Sequence, residues 1–133
     1  MAVAADAQLT GTKFAGRTEV VGGDFFEAVP AGDLYLLKHI LHDWHDDACV
    51  TILRRCREAM LPGGRVAIVE QLIGELHDPG ASTIMDLAML ALSEGGRERS
   101  VAEFDTLLRA AGLKRTSVVT TDSPLAVIEA VAA

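Results

Sequence analysis

The stretch "LLKHILHDWHDD", residues 36–47, gathers three histidines, three aspartates and the only tryptophan of the chain directly behind an apolar run. Imidazole changes its protonation near neutrality, so a histidine here could take a proton in a reaction. A carboxylate beside the ring would fix its tautomer and stabilise the imidazolium that forms. His42 is the candidate for that task. The plainer alternative is a loop histidine capping the next helix, and spacing alone does not separate the two. A metal site of the H-x-x-H-x-x-H kind is a third reading. It is disfavoured because the segment crosses from strand into loop, where three rings are not expected to converge. His39 and His45 are therefore expected to be structural or solvated, and no metal is expected.

Several elements must position this stretch. "RTEVVGGDFF" (17–26) reads as a short β-type run ending in a Gly-Gly turn, and "DLYLLKH" (33–39) as a strand buried on both faces. Asp46 is placed to cap a helix whose apolar positions Cys49, Ile52, Leu53, Cys56, Ala59 and Met60 form one stripe, stopped by "LPGG" (61–64). "RVAIVEQ" (65–71) is a second buried strand with Glu70 near its end, and "STIMDLAMLAL" (82–92) is helical and apolar nearly all round. "SVAE" (100–103) is a capping box opening a helix that carries Phe104, Leu107, Leu108 and Ala111 and stops at Gly112. "KRTSVVTT" and "LAVIEAVA" then form a hairpin through "DSP". This alternation predicts an α/β fold with a mostly parallel sheet and a C-terminal antiparallel hairpin. In such a sheet chemistry belongs at the carboxyl ends of the strands, and Asp24, His42 and Glu70 each follow a predicted strand.

A chain of 133 residues, half of them hydrophobic, can bury a core as one unit. Its net charge of −7 argues against nucleic acid and anionic membrane surfaces as partners. No apolar stretch has the length of a spanning helix, and no signal peptide is apparent. Cys49 and Cys56 lie about 10 Å apart along one predicted helix, too far to be bridged to each other. The expectation is a soluble, reduced, cytoplasmic protein. Residues 1–16 are alanine-rich and uninformative, and residues 17–133 form one unit.

The stretches "GGDFFEAVPAGDLYLLKHILHDW", "LPGGRVAIVE", "MDLAML", "GGRERSVAEF" and "SPLAVIEA", spread over residues 17–131, occur in an order that resembles the C-terminal part of a known family. These are the S-adenosylmethionine-dependent O-methyltransferases of plant phenolics and bacterial polyketides. The resemblance implies a partial Rossmann-like, class I methyltransferase domain. It also implies methyl transfer from S-adenosylmethionine, without metal, to a hydroxyl of a small aromatic or polyketide-type acceptor. On the matching motifs, His42 falls on the general base, and Glu70 and Glu98 on the two acidic residues that flank it. Asp24 and Phe25 match positions at the cofactor adenine, and Lys38 a lysine contacting the cofactor. Met89 matches a position lining the acceptor pocket, and Asp86 of the same stretch is assigned with it, its plainer reading being a paired buried carboxylate. Arg97 stands where the family often has lysine, outside these roles.

The family's G-x-G-x-G loop and first strands have no counterpart here, since "GTKFAG" follows no strand. The sheet implied by the resemblance sets the last strand antiparallel between its predecessor and "RVAIVEQ", and leaves "LYLLK" with an apolar edge of unpaired amides. The chain is accordingly expected to form a homodimer or to join a complementing chain that carries the N-terminal half. The alternative is a non-catalytic remnant or interaction module unable to bind cofactor alone.

Overall fold

The structure, a computed structural model, describes residues 16–73 and 96–133. The expected helix at 82–92, with Asp86 and Met89, lies outside the described residues. Strand β1 (Gly32–Lys38) leads through a 3₁₀ turn (Leu41–Asp43) into helix α1 (Asp46–Ala59) and strand β2 (Met60–Gln71). Helix α2 (Val101–Ala110) and the hairpin of β3 (Leu113–Thr120) and β4 (Leu125–Ala132) follow. The four strands lie in the order β1-β2-β4-β3.

Of the four described strands only β1 and β2 pair in parallel, whereas β4 pairs antiparallel with both β2 and β3. The sheet is therefore mixed, which corrects the mostly parallel expectation. Apolar runs announce strands but not their direction, and the return of the terminal strand beside β2 reverses two of the three pairings. The C-terminal hairpin and the antiparallel insertion of the last strand are as the resemblance implied.

The core collects on one face of the sheet. Val66 and Ile68 of β2 with Ala126, Ile128 and Ala130 of β4 pack against Cys49, Ile52, Leu53 and Cys56 of α1 and Phe104, Leu107 and Leu108 of α2. Both helices form for local reasons. Helix α1 carries its apolar residues on a single stripe, and α2 opens on the full Ser100–Glu103 capping box. Gly112 ends α2 at φ +75°, a left-handed conformation that glycine adopts without strain. Cys49 and Cys56 are buried, unpaired thiols, and burial pushes both up to about 11.

Four further expectations are corrected. "RTEVVGGDFF" forms no strand, since among the described residues no neighbouring strand offers it a ladder. β1 is not buried on both faces: Leu34 and Leu36 are 55% and 63% exposed, on an edge strand whose alternate residues point away from the helices. α1 is capped by His45, whose Nδ1 accepts from the Ala48 amide at 3.4 Å, while Asp46 is its first residue. α1 also ends before "LPGG", which is taken up by an irregularity of β2 where Gly32 faces Met60 but Leu34 already faces Arg65.

Candidate active site

The site forms where β1 and β2 end. Lys38 closes β1 opposite Val69, so the next residues of each strand, His39 and Glu70, emerge at the same rim. The chain turns sharply at His39, whose φ of +54° is unusual for a residue with a side chain, and enters the 3₁₀ turn that carries His42. Glu70 organises this turn. Its Oε1 accepts the backbone N–H groups of Ile40 (3.1 Å), Leu41 (3.0 Å) and, more weakly, His42 (3.4 Å). A carboxylate suits a place where several amides point outward together.

The second oxygen of Glu70 faces histidine. Oε2 lies 3.0 Å from His42 Nδ1 and 3.7 Å from His39 Nδ1. Glu98 Oε1 stands 3.9 Å from the same His42 nitrogen. Both glutamates are buried, at 1% and 2% exposure, and the His42 side chain is 15% exposed. The contact between His42 and Glu70 has ion-pair distance without hydrogen-bond alignment, and neither His42 Nδ1 nor Glu70 Oε2 has a hydrogen-bond partner. On its other side, His42 Nε2 lies 3.2 Å from Oδ1 of the half-exposed Asp43. The structure thus brings His42, Glu70 and Glu98 together.

The other assigned residues fall around this centre. Asp24 is exposed and closes a turn, its Oδ1 accepting from the Phe26 amide at 2.9 Å. Phe25 stands edge-on to Phe26 and to Trp44, with ring centroids 4.8 and 6.1 Å away, which ties that turn to the His42 segment. Lys38 is exposed at the end of β1.

Three contributors were missed in the sequence. His39 converges on Glu70, contrary to the expectation that the histidines would not meet, although His45 stays apart as the α1 cap. The H-x-x-H spacing was the signal; the left-handed turn that realises it was not readable. Asp43 lies beside Nε2 simply as the neighbour of His42. Arg99 carried no signal. Its fully buried guanidinium donates to the carbonyls of Leu41 (2.9 Å) and Trp44 (2.7 Å) and to Asp46 Oδ1 (2.8 Å), lacing the turn from below. Burial alone would raise the pKa of Asp46, but hydrogen bonds from Arg99 and then Arg97 overcome it and hold the carboxyl below its usual range.

This arrangement of strands and helices is that of the α/β methyltransferases. It superimposes with a TM-score of 0.90 on the mitomycin 7-O-methyltransferase MmcR, at 44% identity over 99% of this chain and 39% of that one. It superimposes with a TM-score of 0.88 on NcsB1, an O-methyltransferase from neocarzinostatin biosynthesis crystallised with S-adenosyl-L-homocysteine and 1,4-dihydroxy-2-naphthoic acid. That match has 42% identity over 99% of this chain and 39% of the other. In sequence the chain is 43% identical over 131 residues to the phenazine O-methyltransferase of Lysobacter antibioticus, covering 98% of this chain and 38% of that enzyme. The chain belongs to the O-methyltransferase family, whose domain matches residues 1–114. It spans about two fifths of the length of this relative. Among the described residues no helix is long and apolar enough to cross a membrane.

Proposed function

We propose that residues 17–133 are the base-bearing C-terminal part of an O-methyltransferase catalytic domain that moves a methyl group from S-adenosylmethionine to a hydroxyl of a small aromatic or polyketide-type acceptor, in the cytoplasm. The observation that carries this reading is His42, largely buried at the strand rim with Nδ1 3.0 Å from the buried Glu70 carboxylate. S-adenosylmethionine supplies a methyl group activated on a sulfonium. The chain's own part is to remove the acceptor's proton. With Nδ1–H turned to Glu70 and Glu98, Nε2 is the nitrogen left to take it, and the carboxylates stabilise the imidazolium. Asp43 must then swing from Nε2 toward solvent as an acceptor enters. Misaligned contacts of this kind tighten when the reacting complex forms.

The residues present suit the adenosine side of the cofactor. Asp24 is an exposed carboxylate fixed by its turn through Oδ1, which leaves Oδ2 for a ligand, and the half-buried Phe25 ring stands next to it. Lys38 closes the strand that leads into the His42 turn. Met89 and Asp86 would line the acceptor pocket. A dihydroxynaphthoic acid in the NcsB1 structure supports the acceptor class. The glycine-rich half of the cofactor site would come from a complementing chain.

The test mixes this chain with a separately produced N-terminal half of a relative and follows methyl transfer to a phenolic acceptor. His42→Ala should lower turnover by about 10²–10⁴-fold with S-adenosylmethionine affinity, read by calorimetry, retained. Unchanged turnover removes His42 from the mechanism. No transfer by the wild-type pair, in spite of cofactor binding, favours the non-catalytic remnant.

A further inference from the structure

The two edges of the sheet are built differently. On the β3 edge the ladder is interrupted by a bulge between Arg115 and Ser117, and Lys114 and Thr116 are exposed there. A bulge and a lysine are common devices against the addition of another strand. On β1 the one irregularity lies at its start, between Gly32 and Leu34, and from Leu34 to Lys38 the strand keeps a regular register with β2. Among the described residues no strand pairs with its outer side.

The backbone fixes which groups of β1 are open. The His39 amide donates to the Val69 carbonyl at 3.2 Å, one step beyond the pairing of Lys38 with Val69. Backbone groups of successive strand residues point to opposite sides. Tyr35 and Leu37 therefore turn their N–H and C=O groups toward β2, and Leu34, Leu36 and Lys38 turn theirs away. Leu34 and Leu36 also present 55% and 63% exposed side chains on the open face. The apolar stretch is bounded by two exposed charges of opposite sign, Asp33 before it and Lys38 after it.

We propose that the β1 edge is an interface for a second copy of this chain, whose own β1 adds antiparallel about a twofold axis normal to the sheet. The end charges select the direction. An antiparallel copy brings the basic end of one strand beside the acidic end of the other, whereas a parallel copy brings like beside like. The outward amides select the register, because the hydrogen-bonded pairs must come from Leu34, Leu36 and Lys38. A twofold centred on Tyr35 sets Leu34 of each copy opposite Leu36 of the other, each pair exchanging both backbone bonds. A twofold centred on Leu36 would set Leu34 against the charged Lys38. The Tyr35 register is therefore the one assigned, and it stands whether or not His42 serves methyl transfer.

Sedimentation velocity of the whole chain across a concentration series should show a reversible equilibrium between monomer and dimer that stops at the dimer. Leu36→Pro deletes an outward N–H that the β2 ladder does not use, and should raise the dimer Kd by about tenfold or more. Lys38→Glu makes both ends of the strand acidic and should raise it by about tenfold. Adding Asp33→Lys to Lys38→Glu exchanges the two ends and should restore wild-type association. Far-UV circular dichroism checks that each variant is folded. If Leu36→Pro is not, the two exposed charge positions decide alone. A chain that stays monomeric at every concentration overturns the proposal, and so does association that continues past the dimer. Undiminished pairing in Lys38→Glu, or no recovery in the double variant, overturns it as well.

Discussion

Replacing Arg99 by methionine tests whether the His42 turn is held from beneath by a single guanidinium. Methionine keeps much of the apolar stem and removes the donors. The bonds lost are those to the carbonyls of Leu41 and Trp44, a weaker one to the Arg97 carbonyl at 3.4 Å, and the pair to Asp46. A hydrogen bond from a charged donor contributes about 1.5–3 kcal/mol, so the two carbonyl contacts together contribute about 3–6 kcal/mol by the same measure. The lower half of that range applies, because both carbonyls keep a contact from the Cys49 thiol, at 3.2 and 3.4 Å. Asp46 is half-exposed, so water takes over its pairing and the ion pair adds at most about 1 kcal/mol. The expected destabilisation is about 3–5 kcal/mol, a large share of the stability of any small domain. Urea unfolding is followed by far-UV circular dichroism and by fluorescence of Trp44, the only tryptophan, whose own carbonyl Arg99 holds. A loss under about 1 kcal/mol, with tryptophan emission unchanged, would refute the bracing role.

Gly112→Ala should cost about 1–2 kcal/mol, because a side chain at φ +75° is strained and its Cβ would stand 2.8 Å from Arg57 Nε; an unchanged urea midpoint would count against it. Acid should weaken the fold in a defined window. Asp46 is held low as described; the Ser100 amide foremost, with Arg97 and the Ser100 hydroxyl, lowers Glu103; and Arg115 lowers Asp105. Depressed folded values mean that this stabilisation is complete above the unfolded value of about 4 and is lost as pH falls through the folded values. Urea midpoints should therefore hold from pH 7 to 5 and drop below pH 4, and a midpoint flat to pH 3 would contradict the assignment. Leu36→Lys, on the open face of the edge strand, should lower self-association in light scattering across a concentration series; identical scattering would show that this face does not mediate contact.

What could be read in the sequence was what neighbours along the chain decide. The Ser100–Glu103 box, the α1 stripe and the β3–β4 hairpin all rest on residues a few positions apart, and each stands as expected. The meeting of His39 and the His42 turn with Glu70 follows from the parallel pairing of β1 and β2, whereas Asp24 follows no strand among the described residues. Errors arose where a distant partner decides. "RTEVV" has β composition but no ladder among the described residues, and β1 is apolar enough for a two-sided burial that its edge position denies it. Asp46 looked like a cap because aspartate caps well, yet Arg97 and Arg99, more than fifty positions on, draw it away. No local pattern announces a buried arginine that satisfies carbonyls of another segment.

The junction between β2 and α2 ties off the segment between them. Leu72 and Arg99 form a parallel bridge, and the Ile73 amide donates to the Arg99 carbonyl at 3.2 Å, so the chain leaves and re-enters the described fold at one point. Residues 74–95 lie between these tied ends, and Glu70 and Glu98 stand just outside them. Closing a segment between fixed ends grows more costly by only about 0.6 kcal/mol for each doubling of its length. Chain-closure entropy alone would thus set only a weak limit on the length of the stretch between these tied ends. That stretch holds Met89 and Asp86, the proposed acceptor-lining residues. If the proposed function holds, a change of acceptor would be sought first in that stretch, between carboxylates that belong to the proposed proton-removing centre.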